Sequence, residues 1–151
     1  MKYYVAALIT CCTAFSCKSQ YETVSVKINA AGEKVRLNVP KDYTRETVLG
    51  DSEYEQRFLY PDSSILYVST FNNTSNYDDI RQSNEYGRWF DAIHTEDKTI
   101  EIFYGRSENN FFWKDVVVGS VIVGYTEADS IKSKKFDATI SRFIERYHND
   151  E

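Results

Sequence analysis

The chain has 151 residues, enough for one domain and too few for two ordinary ones. A composition of 42% hydrophobic, 27% charged and 15% aromatic residues excludes a disordered chain, and only 6 Gly and 2 Pro exclude a fibrous one. The net charge of -5 leaves no excess of basic residues to replace the counterions of a phosphate backbone, so nothing points to a nucleic-acid partner.

Met1-Lys2 is a short positive start, and residues 3–15 form an uncharged, mostly apolar run of 13. A membrane-crossing helix needs about 20 such residues. The run instead fits the apolar segment of a secretory signal peptide. All three cysteines, Cys11, Cys12 and Cys17, lie in this opening stretch. Thiolate catalysis, thiolate metal sites and a disulfide framework are therefore excluded from everything after Cys17.

Ala14-Phe15-Ser16-Cys17 is a small-x-small triplet followed by cysteine. It resembles the cleavage site of bacterial lipoprotein precursors, with Ala14 where Leu is usual and Phe15 bulky for its place. In that family the cysteine becomes the first mature residue, with diacylglycerol on sulfur and usually a third acyl chain, often palmitate, on nitrogen. The resemblance implies a signal peptide over residues 1–16, lipidation of Cys17 and a membrane partner through that lipid. Two or three acyl chains, at about 0.8 kcal/mol for each buried CH₂, would hold a small domain firmly. Ordinary secretion with cleavage near Ser16, and an uncleaved anchor helix, are the competing readings. Cys11 and Cys12 would leave a shorter apolar segment and a poorer cleavage site.

Residues 17–22 then serve as anchor and short tether, and the five residues after Cys17 reach at most about 18 Å. Lys18 stands where the family places an inner-membrane-retaining Asp, so the resemblance implies the outer membrane, facing the periplasm.

The remainder, residues 23–148, reads as a single domain with a tail over 149–151. Residues 23–28 alternate through Val24, Val26 and Ile28, and 34–39 alternate through Val35, Leu37 and Val39, as a β-hairpin does. Pro40 ends it. Residues 53–60 and 65–71 are further strands about a turn at Pro61-Asp62-Ser63-Ser64. Asn76 is placed to cap a short helix over 77–86, with Asp78-Asp79 in its first turn and Gly87 as its stop. Residues 98–105 are a strand. Residues 111–118 and 121–126 are strands about Gly119-Ser120, a two-residue turn of the II′ kind. Their valine runs, apolar on both faces, predict central strands.

A helix from Asp129 or Ser130 to about Tyr147 closes the chain, with Phe136, Ile140, Phe143, Ile144 and Tyr147 on one stripe. Only the strands offer a surface for that stripe. The fold class is therefore α+β: an antiparallel sheet of roughly six or seven strands with the C-terminal helix packed across one face.

Val39-Pro40 followed by Tyr43, the Tyr60-Pro61-Asp62-Ser63-Ser64 turn, Trp113, Gly124-Tyr125, and Phe136-Asp137 with Phe143 are spread over about 110 residues. In these the mature part resembles the PsbP-like fold family and small bacterial lipoproteins related to it. The resemblance implies a non-enzymatic accessory or assembly role and carries over no site residue.

The chain holds no Gly-rich phosphate loop. Gly119-Ser120 is no hydrolase elbow, because Ile122 stands where that motif needs Gly. His148 lies in the tail. His94, with Asp91, Glu96 and Asp97 nearby, is the one arrangement suited to a general base or a cation, and Glu96-Asp97 reads equally as a polar turn. Lys132, Lys134 and Lys135 make the start of the closing helix basic, which suits a solvated face or anionic headgroups. No catalytic residue, metal ligand or cofactor is assigned. Aromatic content is the remaining signal, since 10 of 12 Tyr, 8 of 9 Phe and both Trp follow Cys17.

Trp89-Phe90 and Phe111-Phe112-Trp113, each beside a polar loop, are the candidate binding surface. The same tyrosines and tryptophans also suit a plain β-sheet. The expected function is that of a lipid-anchored envelope protein that binds another envelope protein and does no chemistry. Small-ligand or glycan binding by exposed Tyr and Trp is the alternative, and a hydrolase using His94 and Asp91 a distant third. A concave cleft beside Trp89 or Trp113 would favour the ligand, a flat aromatic patch the protein partner.

Overall fold

The computed structural model describes residues 19–29, 31–50, 53–70, 74–82, 87–94 and 99–149. Residues 1–18, with Cys17, lie outside them, as do Glu96 and Asp97, and of residues 74–76, 148 and 149 the backbone alone is described. Among these residues nine strands and two helices follow in chain order. They are β1 (Tyr21–Lys27), β2 (Lys34–Pro40), β3 (Thr44–Leu49), β4 (Tyr54–Leu59), β5 (Ile65–Ser69), α1 (Thr74–Gln82), β6 (Arg88–His94), β7 (Thr99–Arg106), β8 (Phe112–Val118), β9 (Val121–Ala128) and α2 (Ser130–Asn149).

The first two strands pair antiparallel, from Tyr21 opposite Pro40 to Lys27 opposite Lys34, and form a sheet of their own. The other seven make one antiparallel sheet in the order β3-β4-β5-β9-β8-β7-β6. Two meanders, β3 to β5 and β6 to β9, are thus joined where β5 pairs with β9. The class is α+β, as the patterning implies.

The valine-rich strands β8 and β9 sit near the middle of the sheet, and both of their faces are used. Val116, Val118, Val121 and Val123 are buried on the side of α2, while Ile122 and Val117 join a smaller cluster on the opposite side. Gly119 has φ +59° and Ser120 does not share the positive sign, which fits the II′ turn.

Two strands escape the sequence pattern. β3 reads TRETVL, exposed or half-exposed throughout at one edge, and β6 reads RWFDAIH at the other. Edge strands bury little, so neither keeps the apolar alternation by which a strand is recognised. The helix expected over 77–86 begins earlier, at Thr74, so Asn76 is inside it and not its cap. Asp78 and Asp79 fall in the second turn, where Asp78 pairs with Arg81 at 2.5 Å. The closing helix runs on to Asn149, so the backbone of His148 is helical and not tail.

α2 begins where the chemistry of its cap dictates. Asp129 Oδ1 accepts hydrogen bonds from the N–H groups of Ile131 (2.8 Å) and Lys132 (2.7 Å), two of the donors a helix start leaves free. Its stripe then faces inward, with Phe136, Ile140 and Phe143 buried and Ile144 and Tyr147 packed against the same cluster. The cluster joins α2 to the β1–β2 hairpin (Val24, Val26, Leu37, Val39) and to one face of the large sheet (Phe58, Leu66, Val123).

Polar contacts fix the three parts together. Tyr60 Oη donates to Pro40 O (2.8 Å), Thr139 Oγ1 to Asn38 O (2.7 Å), and Lys132 Nζ lies 3.7 Å from the Tyr60 ring centre while pairing with Asp62 at 3.3 Å. Burial alone would raise the Asp62 carboxyl. The hydroxyl and N–H of Ser64, with Lys132, outweigh it and hold the group below its ordinary value.

If α2 seals the main core, Phe136→Ala destabilises the chain by about 3–5 kcal/mol in denaturant unfolding, and Asp129→Ala, which removes only the cap, by about 1 kcal/mol. Equal costs for the two would contradict this packing.

Candidate functional site: a tyrosine-clamped carboxylate in an open groove

Among the described residues, the face of the large sheet away from α2 is covered only in part. α1 packs over β6 and β7, with Tyr77 stacked on Phe103 (ring centres 4.2 Å apart, planes at 11°) and Ile80 buried beside it. Arg81 pins it there by a two-pronged bond to Glu101, Nε to Oε1 at 3.0 Å and Nη2 to Oε2 at 2.7 Å. The surface left beside α1 is an open groove of about 710 Å³. Tyr67, Trp113, Asp115, Ile122 and Thr126 line it from the central strands, Glu55 and Arg57 from β4, Arg88 from β6 and Tyr77 from α1.

Asp115 is the unusual member, an acid on a central strand with only 9% of its surface exposed. Tyr67 Oη donates to its Oδ1, and Tyr77 Oη donates to its Oδ2 at 2.9 Å. Both donors are neutral. Burial raises the carboxyl above its ordinary value, and the two tyrosine bonds pull against that rise without cancelling it. Burial, and then the negative charge of Asp115, push both phenols well above theirs, so they remain donors throughout the ordinary pH range.

Glycines make the geometry possible. Gly124 stands opposite Tyr67 on one side and opposite Asp115 on the other, so the three form one row across β5, β9 and β8. The row has no side chain in its middle, and Tyr67 reaches across the gap. A Cβ on Gly124 would overlap Asp115 Oδ1 and lie 2.8 Å from Tyr67 Cζ. The next meander repeats the device: Gly105 stands between Arg88 and Trp113, and a Cβ there would lie 2.8 Å from Trp113 Cζ2. An aromatic side chain laid over a strand glycine covers exposed backbone, and here it also hollows the floor.

Strand alternation divides the aromatic residues singled out from the sequence. Trp89 faces the α2 side, 38% exposed and stacked on Tyr104 at 5.7 Å, whereas its neighbour Phe90 faces the other side and packs on Phe103. Phe112 packs against the main core with Arg106 over its ring at 4.6 Å, Trp113 lines the Asp115 groove, and Phe111 is exposed just before β8. The five do not form one surface. Trp89, Tyr104, Phe112 and Lys114 border a second, smaller hollow of about 410 Å³ that Trp113 also touches. There the Lys114–Asp137 pair (2.5 Å) ties β8 to α2.

β6 turns Asp91 and His94 to opposite faces, being three residues apart on a strand. Asp91 Oδ1 accepts from the N–H of Ala92, and His94 Nδ1 lies 3.3 Å from Thr99 Oγ1. Among the described residues no cluster of His, Cys, Asp and Glu has the makings of a metal site. Cys17 lies outside the described residues. Tyr67, Tyr77 and Asp115 belong to no motif, yet an acid within the central strand, directly before Val116-Val117-Val118, and a glycine inside Val121-Ile122-Val123-Gly124-Tyr125 are signals of a special site. Comparison with protein-family models, curated proteins and solved structures gives no match.

Gly124→Ala should abolish folding or cost several kcal/mol, because the new methyl group meets the carboxylate and backbone of a packed strand. Gly119→Ala meets nothing within 4 Å and suffers only its positive φ, about 1 kcal/mol. Thermal unfolding of both variants checks this, and a mild Gly124→Ala would show that the row is loosely packed.

Proposed function

We propose that this chain is a lipid-anchored protein of the bacterial cell envelope whose domain binds a small ligand in the Asp115 groove. The groove is the observation that carries the binding half: a concave, partly aromatic hollow with a few convergent polar groups is the usual form of a ligand site. It is flanked by Trp113, the arrangement that favours a ligand over a flat protein interface. The anchor half is supported by the sequence, namely the apolar leader and Ala14-Phe15-Ser16-Cys17. Lys18 supports the outer membrane, facing the periplasm. A role as a non-catalytic accessory to another envelope protein is a second reading. It is favoured by the stacked Trp89–Tyr104 pair, each more than a third exposed and set apart from the groove.

Both halves can be tested. Cells fed a palmitate analogue should label the protein, and Cys17→Ser should lose the label; an unlabelled wild type, or an unchanged label on the variant, would refute the anchor. Purified protein should be screened by thermal shift against sugars, amines, nucleotides and fatty acids. At least one class should raise the unfolding temperature by a few degrees, since a ligand at 100 times its Kd contributes about 2.7 kcal/mol. Thr126→Trp, which fills the groove from β9, should remove that shift. A panel with no effect, or an effect that survives the substitution, would refute the groove as the binding site.

A further inference from the structure

We infer that the groove takes a small organic cation, with its ammonium or guanidinium group against Asp115 and its body against the rings of Tyr67, Tyr77 and Trp113. The inference rests on the groove being a binding site, as proposed above.

Charge is its first support. Asp115 is nine-tenths buried, yet it lines the groove. Buried acids are normally paired with a cation or hold a metal. Among the described residues no Lys, Arg or His forms an ion pair with this one. Arg57, in the same cross-strand row through Tyr67 and Gly124, is committed to Glu55 at 2.5 Å and Glu46 at 3.4 Å, and Arg81, over the Phe103 ring, to Asp78 and Glu101. The charge that does act on Asp115 is the negative one of Glu55. Arg88, on the edge strand β6 two strands from Asp115, is exposed and borders the groove without an ion pair to the acid.

Hydrogen-bonding capacity is the second support. Each carboxylate oxygen has two acceptor sites, and the tyrosines fill one on each. One site per oxygen is left, as are lone pairs on the two phenol oxygens, and none of these groups has a further donor to offer a ligand anion. The site is therefore built to accept N–H bonds. The third support is the wall. Ring faces carry negative charge density and attract ammonium and guanidinium groups, more strongly where water is scarce. Three rings border this acid, and the glycine beneath Tyr67 and the one beneath Trp113 let two of them lie low against the sheet.

The test is an NMR titration of the full chain in detergent with n-butylammonium, with butan-1-ol as its neutral counterpart and with glucose, following backbone amides. The amine should saturably shift Tyr67, Asp115 and Gly124 and bind roughly 10- to 100-fold more tightly than the alcohol, the worth of one charge-assisted bond. Asp115→Asn should erase that margin. Equal affinity for amine and alcohol, or an Asp115→Asn chain that still prefers the amine, would overturn the inference. If the variant does not fold, the amine–alcohol comparison on the unaltered chain decides alone. Shifts of the same residues by glucose but not by the amine would overturn the cation and leave groove binding standing. Silence from all three probes would overturn the cation, while the Thr126→Trp screen separately decides whether the groove binds at all.

Discussion

A seven-stranded sheet has two faces, and the described residues hold one long helix with which to cover them. That mismatch shapes everything else. α2 and the β1–β2 hairpin together close one face over a continuous apolar cluster. Among the described residues the other face receives only α1, whose nine residues pack over β6 and β7. Apolar sheet surface left bare would favour aggregation. The uncovered part is therefore made polar, hollow and aromatic, which is the groove.

Asp115 sits where that solution is most expensive. Burying a carboxylate between neutral donors costs more than the hydrogen bonds return, as the raised affinity of the group for its proton indicates. A valine in its place would continue the pattern of Val116-Val117-Val118. Around it, two glycines remove side chains from central strands, which weakens a sheet locally. Departures from local consistency of this kind collect at functional sites. The rest of the fold keeps to the rules: a capped helix, alternating strands, and a cation–π and ion-pair clasp of Lys132 on Tyr60 and Asp62.

Much of this was legible in the residues. The hairpin, the two central valine strands and the α2 stripe each depend on one periodicity read over a contiguous segment, and all are present at nearly the expected positions. β3 and β6 were hidden because an edge strand has too little buried surface to impose a pattern. The start of α1 was misplaced by a plausible cap at Asn76. The groove was beyond a linear reading for a different reason. Tyr67, Tyr77 and Asp115 come from three elements, and they meet because β5 pairs with β9 and β9 with β8 while α1 packs Tyr77 onto Phe103. The aromatic doublets drew attention instead, but neighbours on a strand point to opposite faces, so Trp89 and Phe90 were never one surface.

Under the proposed anchor, the chain enters the domain at Tyr21, whose ring lies 5.0 Å from the Arg142 guanidinium and whose hydroxyl reaches Lys135 O. Tyr21 thus lies on the sealed, α2 side of the molecule, and the groove opens on the face away from α2. The central claim is that Asp115 is a buried acid without a cation of its own. The most direct measurement is the titration of its side-chain carboxyl carbon by ¹³C NMR in the free protein. A midpoint above the ordinary value of 3.8 is expected, because no positive group offsets its burial. A midpoint at or below 3.8 would mean that a cation already serves this carboxylate, and would contradict the account.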